Sequence, residues 1–152
     1  MKLSKNFSLE EFCKSQTASR LGISNIPSDK RIIDNLKALC HNVWQPARDY
    51  FGPIIISSGY RSPELNEAIN GSANSQHILG EAADGEALRA SNYELANWIH
   101  NNTRNDQVIL EFYYPNEGPN SGWVHASYRQ GVNRQLALTI NRNGTYYGFN
   151  PR

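Results

Sequence analysis

The chain has few cysteines, no long apolar run and no excess of charge of either sign. Two cysteines, Cys13 and Cys40, among 152 residues exclude a disulfide framework or a Cys-rich zinc module. They read as free, partly buried thiols. No apolar stretch approaches the roughly 18 residues of a membrane-spanning helix. The opening MKLSKNFSLEEF turns polar too early for a secretory signal, so synthesis in the cytoplasm is expected. Fifteen basic residues against fourteen acidic ones leave a net charge of +1, which argues against electrostatic gripping of nucleic acid. Repeats, low-complexity tracts and linkers are missing too. What is there, 39% hydrophobic and 19% charged residues, describes a globular chain. One domain over residues 1–152 with a substantial core, and a monomer, are expected.

Helices come first. Ser8 and Glu11 form a capping box that opens a short helix. Gly22 to Pro27 reads as a loop. A longer helix follows Ser28, with Ile32, Ile33, Leu36, Leu39, Cys40, Val43, Trp44 and Ala47 at helical spacing. Pro46 predicts a kink or early end. Ser62-Pro63-Glu64 and the capping box Ser91-Asn92-Tyr93-Glu94 open two more helices. Strands are predicted at 53–58, 107–113, 122–128 and 135–141, with Asn143-Gly144 as a two-residue hairpin into Thr145-Tyr146-Tyr147. Helices followed by an antiparallel sheet make an α+β class.

Four histidines are present. His41 and His100 sit on helices with no acidic or cysteine partner at ligand spacing, and read as ordinary helix residues. His77 belongs to Ser75-Gln76-His77-Ile78-Leu79-Gly80-Glu81-Ala82-Ala83-Asp84. On an unbroken helix His77 and Asp84 would stand about 10.5 Å apart along the axis. A tight turn at Gly80-Glu81 would instead pair them directly, with Cβ atoms about 5 Å apart. That spacing suits either a shared metal ion or a plain His–Asp hydrogen bond.

Strand parity treats His125 in the same way. Val108, Leu110 and Phe112 would share one face, and so would Val124, Ala126 and Tyr128. If both apolar sets join one core, Glu111 and His125 emerge together on the other side of the sheet. Two imidazoles and one carboxylate are a familiar ligand set for catalytic zinc. A nearby carboxylate then serves as general base. Glu111 is the candidate for that role, with Glu117 on the following loop as its rival.

These pieces resemble the zinc D-alanyl-D-alanine peptidases, the peptidase M15 family, in the small form found in phage and prophage lytic enzymes. The likeness is carried by Ser57-Ser58-Gly59-Tyr60-Arg61-Ser62-Pro63, by Ser75-Gln76-His77 with Gly80-Glu81-Ala82-Ala83-Asp84, and by Trp123-Val124-His125-Ala126-Ser127. The opening Asn6 to Phe12 is similar as well, and the match runs to about Tyr128. The resemblance implies a hedgehog/D-Ala-D-Ala-peptidase-like fold, with helices packed on a small sheet. It implies that His77, Asp84 and His125 bind Zn²⁺. It also implies that Arg61 anchors a substrate carboxylate or steadies the attacked carbonyl, where the residue alone would read as a surface salt bridge. Gln76 is implied as a hydrogen-bond donor in the pocket. The substrate class implied is the peptide stem of peptidoglycan, reached at the cell wall after phage-type release, and cut as a carboxypeptidase or an endopeptidase. A non-catalytic, zinc-stabilised wall-binding or phage structural domain of the same fold is the alternative. Two positions depart from the pattern. Gly122 stands where many relatives carry the catalytic acid, and Gly85 where they commonly carry an aliphatic residue.

Overall fold

The computed structural model describes residues 1–150. The first helix, α1 (Leu9–Cys13), is opened by the expected capping box: Ser8 Oγ accepts from the Glu11 amide, and Glu11 accepts from the Ser8 amide. An unexpected short helix, α2 (Gln16–Leu21), follows; Ser15 caps it and Gly22, at φ +68°, ends it. The long helix starts as α3 (Lys30–Leu39), with Asp29 rather than Ser28 as its cap. It widens into a π-type turn over Cys40–Trp44, then continues as α4 (Gln45–Phe51). Pro46 therefore does not stop the rod. It closely follows the π-type turn, whose wider register already interrupts the regular ladder that a proline would break. Helices α5 (Pro63–Ala68) and α6 (Asn92–Asn102) open at the expected caps, Ser62 and Ser91.

Six strands form one sheet in the order β1-β2-β4-β3-β5-β6. They are β1 (Ile54–Ser58), β2 (Ala82–Ala87), β3 (Gln107–Glu111), β4 (Trp123–Ser127), β5 (Leu136–Asn141) and β6 (Gly144–Tyr147). All neighbours are antiparallel except β3 and β5, which run parallel. The α+β class holds, with that one parallel pair as its irregularity.

Three local expectations need correction. Gly80-Glu81 is not a hairpin turn. Residues 75–80 form a helical turn, closed by Glu81 N–H to Gln76 O (3.0 Å), and β2 pairs with β1 and β4 instead. Gly80 is needed because α3 lies against it: a Cβ there would stand 2.8 Å from Ile32 O. The β5–β6 turn is Arg142-Asn143, one residue early, since Gly144 already pairs with Asn141. Finally, β3 stops at Glu111. Phe112 adopts φ +52°, which turns its ring outward and puts Tyr113 into the core in its place.

The strand parity survives this break. Val108, Leu110, Val124 and Ala126 are fully buried, and they join Leu36, Leu39, Val43, Trp44, Leu95 and Ile99 in one core. Gly85 has a packing role in it: a Cβ there would lie 3.1 Å from the Trp44 ring, so the indole takes the room an aliphatic side chain would use. With one face of the sheet closed by helices, the other carries mostly polar residues, with Ile109 and Trp123 among them.

Candidate metal centre

On that second face lies a cavity of about 660 Å³. Asp84 and His125 face each other across the β2–β4 pair, because the antiparallel register makes them direct partners. His77 joins them from the turn before β2. Donor atoms of the three residues lie within 4.8 Å of one another. Asp84 Oδ1 is 3.0 Å from His125 Nδ1 and 3.4 Å from His77 Nε2. Burial alone would raise the Asp84 carboxyl, but hydrogen bonds and charge from both imidazoles outweigh it and hold the group well below the usual carboxylate range.

His77 is the most constrained of the three. Its Nδ1 donates to Gly59 O at 2.7 Å, while its main-chain carbonyl accepts from the Arg61 amide at 3.1 Å. With Nδ1 engaged by Gly59 O, Nε2 is the ring nitrogen turned to Asp84 and the one free to serve as a metal ligand. Two imidazoles with one carboxylate, and a carbonyl fixing one tautomer, fit a divalent metal of the zinc type.

Glu111 shares this face, as parity predicts. It pairs with Trp123, two residues from His125 on β4, and lines the same cavity. Burial first, then the charge of Asp84, raise its carboxyl above the ordinary value. The glycine at position 122 has φ +66°, and a Cβ there would collide with the carbonyl oxygens of Glu111 and Phe112. No side chain fits at that position, and the carboxylate in the cavity comes from the neighbouring strand. Glu117 is elsewhere. It is exposed and paired with Arg142 at 2.9 Å.

Arg61 also lines the cavity. Its Nη2 reaches Ser75 Oγ only at 3.4 Å, and its Nε is buried with no partner among the described residues. Burial weakens its hold on the proton, while Asp84 and Glu111 oppose that shift. Gln76 is present as well, but Nε2 of its amide donates inside the protein, to Asp106 (3.1 Å) and Glu81 (3.4 Å). Among the described residues it is therefore the amide oxygen that remains unclaimed.

The sequence alone did not point to Asn25, Asp106 or Arg134. Buried Asn25 bonds Cys13 O, Tyr60 O and the Ser62 amide, and so fixes the segment that carries Arg61. Its single-letter context is an ordinary loop, so no local signal marks it.

Beyond the geometry, a family model described as peptidase M15 matches residues 5–125, well over half of the chain. The chain belongs to the peptidase M15 family. The matched segment holds every residue of the His77, Asp84 and His125 group, together with Arg61, Gln76 and Glu111. No curated protein matches the chain. The M15 assignment is that of a peptidase, and the three-residue group is where such a protein would carry a metal.

Proposed function

We propose that this M15 protein is a zinc peptidase that hydrolyses an amide bond in the peptide stems of peptidoglycan. The observation that carries the reading is one cavity holding a His–Asp–His group, a carboxyl with raised pKa and an arginine with an unpaired buried donor. His77, Asp84 and His125 are the residues that would hold the ion. Bound there, zinc supplies Lewis acidity, polarising a carbonyl and making water acidic near neutral pH.

The remaining work falls to the chain's own side chains. Glu111 takes the proton of the attacking water and passes it to the departing amine nitrogen. A carboxyl held above its ordinary pKa is better matched to both transfers. Arg61 binds an anionic oxygen, either a carboxylate on the leaving residue or, on the acyl side, the charge growing on the attacked carbonyl, and thereby satisfies its own buried N–H. Gln76 offers its amide oxygen to a substrate N–H. The buried apolar face behind β4 keeps His125 from moving during these transfers.

Purified peptidoglycan digested with the zinc-loaded protein tests the reading. Wild type should release muropeptides whose new termini, read by mass spectrometry, identify the bond. His77→Ala should release none. A zinc-loaded wild type that binds the wall but leaves every muropeptide intact would overturn the peptidase reading in favour of a wall-binding domain.

A further inference from the structure

Residues beyond the segment matched by the M15 model shape one end of the cavity. The loop after β4 runs to Gln135 and brings Arg134 into the cavity wall, beside Gln76 and Gln107. This placement is built rather than incidental. Asp106, fully buried at the entrance to β3, accepts from Arg134 three times: from its main-chain amide (3.0 Å), Nε (3.1 Å) and Nη2 (2.8 Å). The same carboxylate accepts from Gln76, the residue before the ligand His77. Main-chain bonds from Gln135 to Asn105 O and from Leu136 to Asp106 O fasten the loop's end. The guanidinium is thus held as a fork with one edge on Asp106. Its Nη1 hydrogens are unclaimed among the described residues, on a side chain that is half exposed.

The strand order sets the distances. Arg61 follows β1 at one end of the cavity, and Arg134 precedes β5 at the other, with Asp84 on β2 and His125 on β4 between them. Two strand spacings of about 4.8 Å separate β4 from β5. Arg134 also lies four residues before Leu138, the residue level with His125, but its side chain reaches back: Nη2 of Arg134 and Nε2 of Gln76 both bond Asp106 Oδ2, at 2.8 and 3.1 Å. The fork thus meets the residue beside His77, a few residues of extended peptide from the metal group.

We propose that Arg134 is a specificity-determining residue that binds an acidic group on the acyl side of the substrate, a few residues before the bond that is cut. This deepens the peptidase reading and rests on it for direction, in the form in which Arg61 holds a carboxylate on the leaving residue. Asp106 is its positioning residue: it orients the fork and, through Gln76, ties this end of the cavity to the turn carrying His77.

The test uses the zinc-loaded full chain and two tripeptides that stand for the acyl-side fragment and contain no bond to cut. They differ only in Glu or Gln at the first position. Calorimetry should show wild type binding the Glu peptide at least about tenfold more tightly. Because Arg134→Ala leaves a buried carboxylate without its cation, the double variant Asp106→Asn/Arg134→Ala is measured beside it. Both should lose the preference, and Arg134→Lys should keep part of it, since a point charge cannot reproduce the fork. Equal affinity for the two peptides in wild type, no measurable binding of either, or an unchanged ratio in the double variant would overturn the proposal. Preference without any muropeptide release would retain the acidic subsite and remove the peptidase reading, so the two failures are distinct.

Discussion

The two faces of β4 differ by a single residue step and by almost everything else. Val124 and Ala126 are fully buried among helices, while Trp123 and His125 look into the cavity. The inner face has one task, to exclude water, and many apolar side chains share it. On the outer face polar groups converge on one cavity, some paired and some, such as Arg61 Nε, left open, and their worth depends on position rather than on volume. A sheet so divided can lose a functional group on one side without unfolding, whereas truncation on the other side is felt as lost stability. Alternation along one strand separates the two roles.

The largest effect should come from the outer face. His77→Ala, Asp84→Ala or His125→Ala should each reduce zinc from one per chain to little or none by metal analysis, and abolish turnover. Thermal melting should then no longer respond to added zinc, since a ligand that binds only the folded state stabilises it. Full occupancy in all three variants would erase the distinction between the faces at its centre. Next comes Glu111→Gln, which should keep fold and zinc while losing about 10²–10⁴ in rate. Glutamine retains the size but cannot accept the proton. Glu117→Gln, exposed and outside the cavity, is the control and should change rate little. Reversal of that pair would move the base to the loop.

The inner face is probed by Leu110→Ala, one residue from Glu111 and fully buried. Chemical denaturation should show a loss of about 2–5 kcal/mol, with zinc still bound in the fraction that remains folded. A smaller effect should appear at low pH. Burial pushes the Asp106 carboxyl up, but hydrogen bonds from Arg134 dominate and its pKa is lowered when folded. The unfolded chain then binds the extra proton, so stability from this group is complete above the unfolded carboxyl pKa of about 3.9 and is lost as pH falls through the lower folded value. Denaturation midpoints of wild type and Asp106→Asn should therefore draw together as pH drops below about 4. A constant separation down to pH 2 would mean that the Arg134 pair contributes nothing through this carboxylate.

Much of this arrangement was legible because it is periodic or local. Alternation in 107–111 and 123–127 placed Glu111 and His125 on one face before any strand was paired, and Ser8, Ser62 and Ser91 announced their helices by chemistry confined to four residues. The reading failed where pairing is decided at long range. The Gly80-Glu81 stretch has the composition of a hairpin, yet the partners of β2 lie on β1 and β4, and Gly80 answers to α3. His77 and Asp84 do meet, but by a turn against a strand rather than across a ladder. Phe112 breaks the alternation with a left-handed backbone that no pattern of apolar residues reveals. Parallel pairing of β5 with β3 was equally hidden, and with it the course of the loop that delivers Arg134 to Asp106.

The double tie between His77 and the Gly59–Arg61 segment bears on any attempt to move this centre into another scaffold. One bond leaves the imidazole for Gly59 O, and the other returns from the Arg61 amide to the His77 carbonyl. His77 and Arg61 are thus stapled by one side-chain and one main-chain bond, and neither can be shifted without dragging the other. Asp84 and His125 need only two adjacent antiparallel strands in register, which many small proteins offer. The portable unit is therefore a pair of loops, residues 59–61 and 75–80, grafted together onto a borrowed ribbon. A transplant that copied only the three side chains of the His–Asp–His group would leave the His77 ring free to spin and the arginine free to wander.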